Sequence, residues 1–211
     1  MIVPVDEAYV AASPYTLEAD GLGSESTTME SAMSKAAITV WCAEKRDLAT
    51  HYAIRHRVFV NEQCALVFTD VDRWDNHAEV VHVLAARGRS CAGTVRLYPI
   101  DSHGRWKGDR LAVLKPHRAT LLGAQLVRFA TATAAAHGGQ EMEASVQLAN
   151  VKFFQRLGWC CDGDEYSYFG LPHQPMLFDL SMAPPLSWQG RLDSVTLDGQ
   201  IDIGSELLCP A

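Results

Sequence analysis

Apolar positions are distributed unevenly along the chain. Residues 1–35, which include "SPYTLEADGLGSESTTMESAMS", are dominated by Ser, Thr, Gly and acidic side chains and show no lasting apolar period. Such a stretch cannot bury enough apolar surface to offset the entropy of ordering it, so it reads as an extension. A regular pattern begins near residue 36. "AITVWC", residues 37–42, is β-branched and aromatic and predicts a strand. In "RDLATHYAIRHRVFV", residues 46–60, Tyr52, Arg55 and Phe59 recur three and four apart, which puts them on one helical face. Asp47 suits the start of that helix as a cap or first-turn acid. "EVVHVLAAR" (79–87) and "CAGTVRLYPI" (91–100) predict a hairpin across a short polar turn. "DSHGRWKGD" (101–109) reads as a polar loop and "RLAVL" (110–114) as a strand.

The second half alternates helices and strands. A helix is predicted over 121–136, stopped by Gly138 and Gly139, then a strand over 141–147. "NVKFFQRLG" (150–158) predicts a short helix ended by Gly158; "EYSYFGL" (165–171) and "QPMLFDL" (174–180) predict two closing strands. Residues 36–182 thus form one α/β domain with the order β-α-β-β-β-α-β-α-β-β, a mixed sheet with helices on its faces. Residues 183–211 form a C-terminal tail in which "VTLDGQIDI" alternates around an Asp-Gly turn and predicts a small hairpin. Phe153, Phe154, Trp159 and Trp41 are expected in the core.

Composition narrows the function. The chain has 211 residues, 48% of them hydrophobic and 20% charged, enough for one domain with a real core. A net charge of -7 argues against nucleic acid or anionic membrane as the general partner. No apolar run is long enough to span a bilayer, and the N-terminus lacks the basic-then-apolar order of a secretory signal. The six cysteines form no CxxC pair and fit no zinc spacing, so they read as reduced, mostly buried thiols of a cytoplasmic protein. The acidic run "FTDVDRWDNHAEV" lacks the glycine of a calcium loop, and no metal is expected.

Candidate chemistry centres on "LAVLKPHRATLLGAQLVRF", residues 111–129. An apolar strand passes through a basic turn into a long helix. A helix N-terminus offers unpaired N–H groups to an anion, and Arg118 adds a forked cation suited to phosphate. Read locally, a plain exposed basic turn fits as well. Arg96 sits mid-strand, where burial demands a partner: an acid such as Asp70, Asp72 or Asp75, or a substrate carboxylate.

The order of four pieces carries a resemblance. "YAIRHRVFVNEQ", "AGTVRLYP", "GDRLAVLKPHRATLLGAQLV" and "SVQLANVKFFQRLGW" followed by "YFGLPHQPM" resemble, in sequence, segments of the GNAT superfamily of acyl-CoA-dependent N-acyltransferases. The last pieces look most like a group found in bacterial nitrogen-starvation gene clusters. The resemblance implies a sheet of about six to seven strands, splayed between the cofactor strand and the next. It implies acetyl-CoA, or another acyl-CoA, as co-substrate, a small-molecule amine as acceptor, and a homodimer. The family's R/Q-x-x-G-x-G/A turn falls on Arg118, Ala119, Thr120, Leu121, Leu122 and Gly123, with Leu121 in place of the first glycine, and Ala124 just after it would also meet the cofactor. Leu111, Ala112 and Val113 would meet the pantetheine arm, with the Val113 amide as oxyanion donor, and Asn150 and Phe154 would border the cofactor.

Phe154 stands where many relatives carry a tyrosine acid, so Tyr166 or Tyr168 is the alternative. Glu143, His173 and Asp75 are the candidate bases. Arg55, Phe59, Asp75 and Arg96 are candidate substrate contacts. The pattern around Arg55 and Arg96 also resembles acyl-homoserine-lactone synthases of the same fold. That implies a second reading, with an acyl carrier protein or an aminoacyl-tRNA as donor; a third is a GNAT-like binding protein without catalysis.

Overall fold

Strand β1, Ile38–Cys42, buries Val40 and Trp41. The computed structural model describes residues 37–64, 66 and 68–185, together with the backbone of two short strands at 196–197 and 201–202. After β1, the turn Lys45–Asp47 leads into α1, Leu48–Arg55, and the Asp47 carboxylate accepts the Glu44 N–H at 2.9 Å. The helix then widens into a π-helical run, His56–Glu62, in which the Gln63 N–H reaches back five residues to the Val58 carbonyl at 2.9 Å. One helix was expected over 46–60; the π run is the part that periodicity does not encode.

Strands β2, Val81–Arg87, and β3, Ser90–Pro99, form the expected antiparallel hairpin. Strand β4, Arg105–Val113, begins well before the expected residue 110. Residues 105–109 are therefore strand and not loop. Trp106 is buried, and the polar neighbours find partners across the sheet, Lys107 with Glu143 and Asp109 with Arg96. Helix α2, Leu122–Ala136, and strand β5, Glu141–Gln147, follow as predicted. Helix α3 is shorter than expected, Val151–Gln155. Strand β6, Cys160–Cys161, was not anticipated, and the closing pair is β7, Tyr166–Tyr168, and β8, Leu171–Asp179. In the tail, β9, Thr196–Leu197, pairs with β10, Ile201–Asp202, the expected hairpin; its turn residues lie outside the described residues.

The main sheet runs β1-β2-β3-β4-β5-β8-β6, with β7 on β8 and β9 beside β3. The pairs along it are antiparallel except β4 with β5, which is parallel and lasts only from Arg105↔Glu141 to Lys107↔Glu143. Beyond Lys107 the two strands diverge, and the sheet opens into a cleft.

Trp41, Phe154 and Trp159 join the core as expected, with Phe153 packed against it. Free thiols are found at Cys42, Cys64, Cys91, Cys160 and Cys161, but of these only Cys91 is buried, against the expectation of mostly buried cysteines. Two-residue β6 lies at the sheet edge, which leaves Cys160 and Cys161 exposed.

Helix α2 packs tightly over Gly93. A Cβ there would lie 2.4 Å from Leu122 Cδ2 and 2.8 Å from Leu126 Cδ1. Gly93→Ala should overpack this contact and destabilise the domain by about 1–3 kcal/mol, read as a lower urea midpoint. An unchanged midpoint would show that the helix moves aside freely.

Candidate active site

The cleft is set by an irregularity in β4. Thr94 pairs with Ala112 and Arg96 with Asp109, so Val95 alone faces Arg110 and Leu111, a β-bulge. Arg110 adopts φ 51°, a conformation that a non-glycine residue rarely holds. The polar groups displaced by the bulge find other partners. The His51 Nε2 lies 3.4 Å from the Val95 carbonyl, and the Thr94 hydroxyl donates to the Arg110 carbonyl at 3.3 Å. Further along, the Leu114 N–H donates to the Ala92 carbonyl of β3 at 2.8 Å. Strand alternation therefore turns the Val113 N–H and C=O away from β3, toward the splay.

Behind the bulge lies a buried ionic network. Arg55 bonds the carboxylates of Asp70 and Asp75 and the Asp70 carbonyl. Arg96 makes paired bonds to Asp109 at 2.8 and 2.7 Å and to Asp72 at 2.7 and 3.0 Å, and reaches Asp75 at 2.8 Å. Arg110 donates to Asp72 at 2.8 Å and to the Asp70 carbonyl at 3.2 Å. Both Arg55 and Arg96 are 0% exposed. Their desolvation is severe, and only this dense pairing makes it tolerable.

The cleft has a volume of about 410 Å³ and passes through the splay. On the α2 side its wall is apolar, with Leu111, Val127, Ala130, Met142, Val146 and Phe154. On the opposite face it is polar and aromatic. There Lys107, Asp109, Ser145, Gln147, Tyr166 and His173 meet Phe59, Trp74 and Tyr98. Gln147 is tied to Gln63, at the end of the π-helical run, at 3.2 Å, which fixes this face as the α1 side. The Tyr166 hydroxyl donates to Ser145 Oγ at 2.6 Å. His173 is buried, and its Nδ1 lies 2.8 Å from the Leu171 carbonyl. A carbonyl can only accept, so Nδ1 carries the proton and neutral His173 has its lone pair on Nε2. Trp74 stacks on Tyr98 at 4.6 Å.

The basic turn lies at the apolar end. Leu121 precedes α2 with φ -74°, so its backbone makes no demand for glycine, and its side chain is 67% exposed, pointing neither into the sheet nor into the cleft lining. No side chain caps the start of α2 from position 121; the Leu122 N–H turns to Thr120 Oγ1 at 3.2 Å. A Cβ at Gly123 would meet Phe153 and Val113 only at ordinary contact, 3.7 Å each. First-turn N–H groups without intrahelical acceptors, over a residue lacking a side chain, fit an approaching phosphate. Arg118 is less open than expected. Its Nε donates to the Val113 carbonyl at 2.8 Å, and its remaining nitrogens hold Glu62, whose carboxyl they keep below its usual range.

The predicted site residues therefore divide. Leu111, Phe59, Asn150, Phe154, Tyr166 and His173 line the cleft. Arg55, Asp75 and Arg96, expected as substrate contacts, do not; their charged groups are consumed by one another beneath it. The expectation that Arg96 needs an acid is met by Asp72, Asp75 and also Asp109. Glu143 is held by Lys107 at 2.8 Å and Arg105 at 3.1 Å, beside the cleft and outside its lining. Lys107, Asp109, Arg110 and Ser145 were missed. Treating 101–109 as a loop hid the first two, although a polar-apolar alternation through Trp106 was there to read.

A family model described as Acetyltransferase (GNAT) family matches residues 46–159. The chain belongs to that family, and it is an acyltransferase with the GNAT fold. The uncharacterized N-acetyltransferase YjcF of Bacillus subtilis (strain 168) is 27% identical over 136 residues, covering 64% of this chain and 94% of YjcF. Escherichia coli ElaA superposes with a TM-score of 0.60 at 22% identity, covering 67% of this chain and 99% of ElaA. YncA of Salmonella typhimurium, solved with its cofactor acetyl-CoA, superposes with a TM-score of 0.56 at 19% identity, covering 71% and 98%. Among the described residues no helix is long and apolar enough to cross a membrane, and no cluster of three metal-ligating side chains occurs.

The network also sets the acid response. Burial holds His51 and His82 below the usual histidine range, so the folded protein keeps them neutral. Burial alone would raise Asp75 and Asp72, but hydrogen bonds and charge from Arg55 and Arg96 outweigh it and depress both. All four groups bind protons more readily in the unfolded chain, so stability falls as pH falls. The loss should begin near pH ~6.5, the unfolded histidine value, and steepen below about pH 4, the unfolded aspartate value, continuing until pH passes the folded values. Thermal melts across this range check it; a melting temperature that rises on acidification would contradict the assignment.

Proposed function

We propose that the protein transfers an acetyl group from acetyl-CoA to the amine of a small molecule, by direct attack in a ternary complex. One observation carries this reading: the Val113 N–H faces the β4–β5 splay, flanked by the start of α2, where Leu121 provides no side-chain cap. Residues 36–182 carry the activity, with 1–35 and 183–211 as extensions, and the protein works in the cytoplasm as a homodimer. The "NVKFFQRLGW" and "YFGLPHQPM" segments support a place in the group found in nitrogen-starvation clusters.

In this reading the N–H groups of Gly123 and Ala124 hold the pyrophosphate, and the pantetheine arm runs along Leu111 and Val113 toward Asn150 and Phe154. The acceptor enters from the α1 side, past Phe59 and Tyr98. His173 Nε2 takes the proton of the attacking amine. As the amine nitrogen bonds the thioester carbon, the Val113 N–H donates to the oxygen that gains charge. The C–S bond then breaks, and the Tyr166 hydroxyl, oriented by Ser145, protonates the leaving sulfur. Tyr166 recovers its proton through water from His173, which returns to its neutral form, leaving an amide and the CoA thiol. Glu143 keeps Lys107 in place and is not the base, because two cations already occupy its oxygens.

A second reading keeps the fold and takes the acyl group from a carrier protein or an aminoacyl-tRNA. What favours it is Arg118, whose guanidinium is engaged by Glu62 and the Val113 carbonyl. Thermal melts separate the two. Acetyl-CoA at about 100 times its Kd should stabilise the fold by about 2.7 kcal/mol, and the melting temperature should rise accordingly. No rise at millimolar acetyl-CoA would defeat the first reading. His173→Ala should keep that rise while lowering kcat by about 10²–10⁴-fold. Full activity in this variant would remove His173 from the role of base.

A further inference from the structure

Arg110 is placed oddly for an arginine. It holds a left-handed backbone conformation, φ 51°, inside a strand, where glycine would sit without strain. Its side chain explains why arginine is there. The guanidinium donates to Asp72 at 2.8 Å and to the Asp70 carbonyl at 3.2 Å. Asp72 is in turn gripped by Arg96 through both oxygens, and Arg96 also grips Asp109, the residue just before Arg110. One buried guanidinium thus ties the bulge at two adjacent points, at Asp109 directly and at Arg110 through Asp72. Helix α1 and the facing strand supply the rest, His51 at the Val95 carbonyl and Thr94 at the Arg110 carbonyl.

Loss of the bulge would have a definite consequence. Absorbing the extra residue slips β4 by one position against β3. A one-residue slip reverses which groups face each side. The Val113 N–H would then turn toward β3 and away from the splay, and the Leu111 side chain would leave the α2 wall.

We propose that Arg110 is a positioning residue for acyl transfer: clamped by Asp72, it holds the β4 bulge in register and so keeps the Val113 amide aimed into the cleft. This rests on the acyl-transfer reading above. Arg110 acts through backbone it holds and touches neither reacting group.

The test compares Arg110→Gly, which accepts the backbone conformation but has no clamp, with Arg110→Lys, which keeps a cation for Asp72. Both are measured for melting temperature, acetyl-CoA affinity by calorimetry, thiol release from acetyl-CoA with a panel of small primary amines, and amide hydrogen exchange across 109–113. Arg110→Gly should fold, bind acetyl-CoA more weakly because the Leu111 wall of the pantetheine path is disturbed, and lose about 10²-fold in kcat, the scale of a small misplacement of a reacting group. Its exchange across 109–113 should quicken, and Arg110→Lys should recover part of both. Wild-type kcat in folded Arg110→Gly, or unchanged exchange, overturns the proposal. If Arg110→Gly fails to fold, Arg110→Lys decides: faster exchange with reduced kcat supports the clamp, and wild-type values overturn it. Wild-type protein that neither binds acetyl-CoA nor releases thiol defeats the acyl-transfer reading instead, and the exchange measurement still decides the clamp.

Discussion

The buried guanidinium of Arg96 is the constraint on which the rest depends. It is 0% exposed and contacts Asp72, Asp75 and Asp109 together. A cation taken out of water is tolerable only when its donors are satisfied, so each of these acids must sit where Arg96 requires. Asp72 and Asp75 belong to one short 3-10 segment, whose capping they also provide. Asp109 belongs to β4. Through Asp75 the network reaches Arg55 and fixes the end of α1, just where the π-helical run begins. One side chain therefore couples a loop, a strand and a helix that would otherwise meet only at their edges. Removing one member should be far worse than replacing the whole set with apolar residues, since the remaining charges would be stranded.

That coupling lets one strand serve two purposes. The first residues of β4 complete the sheet with β5, while its last residues leave β5 and present backbone groups to the cleft. An ordinary ladder would consume those groups. The bulge separates the two halves, and the sheet remains satisfied because His51 and Thr94 serve the groups it displaces. The cleft inherits two unlike walls, apolar toward α2 and polar toward α1. In the proposed reaction that division would seat a thioester arm on one side and an amine on the other.

Much of the architecture was legible because it is local. Helix α2 is written in its apolar spacing and its Gly138–Gly139 stop, and the β2–β3 hairpin in alternation around a short turn. What escaped depends on distant partners. The start of β4 looked like a loop because Lys107 and Asp109 are charged; they are strand residues only because Glu143 and Arg96 lie across from them. Arg55 and Arg96 looked like substrate contacts for the same reason. For Arg96 the chain's own Asp72 and Asp75 were among the readable partners; that such acids, with Asp109, would leave no donor for a substrate was not. Tyr166 and His173 could be nominated from chemistry alone. That they share a face follows from the register Tyr166↔His173, which no local pattern prescribes.

The turn before α2 shows why a motif is best read through the physical need behind it. Glycine serves such turns in two ways, by allowing positive φ and by leaving backbone bare for a phosphate. Leu121 needs neither, since its φ is -74° and its side chain leaves the cleft lining. Gly123 answers the second need, because a side chain there would fill space that Phe153 and Val113 approach only to 3.7 Å. The departure at 121 therefore removes no donor. The larger change lies at Arg118, whose hold on Glu62 and the Val113 carbonyl makes it a strut between the π-helical run and β4. In the proposed reaction the phosphate would meet backbone donors first, while Arg118 keeps Val113, the α2 turn and the end of the π run in fixed relation.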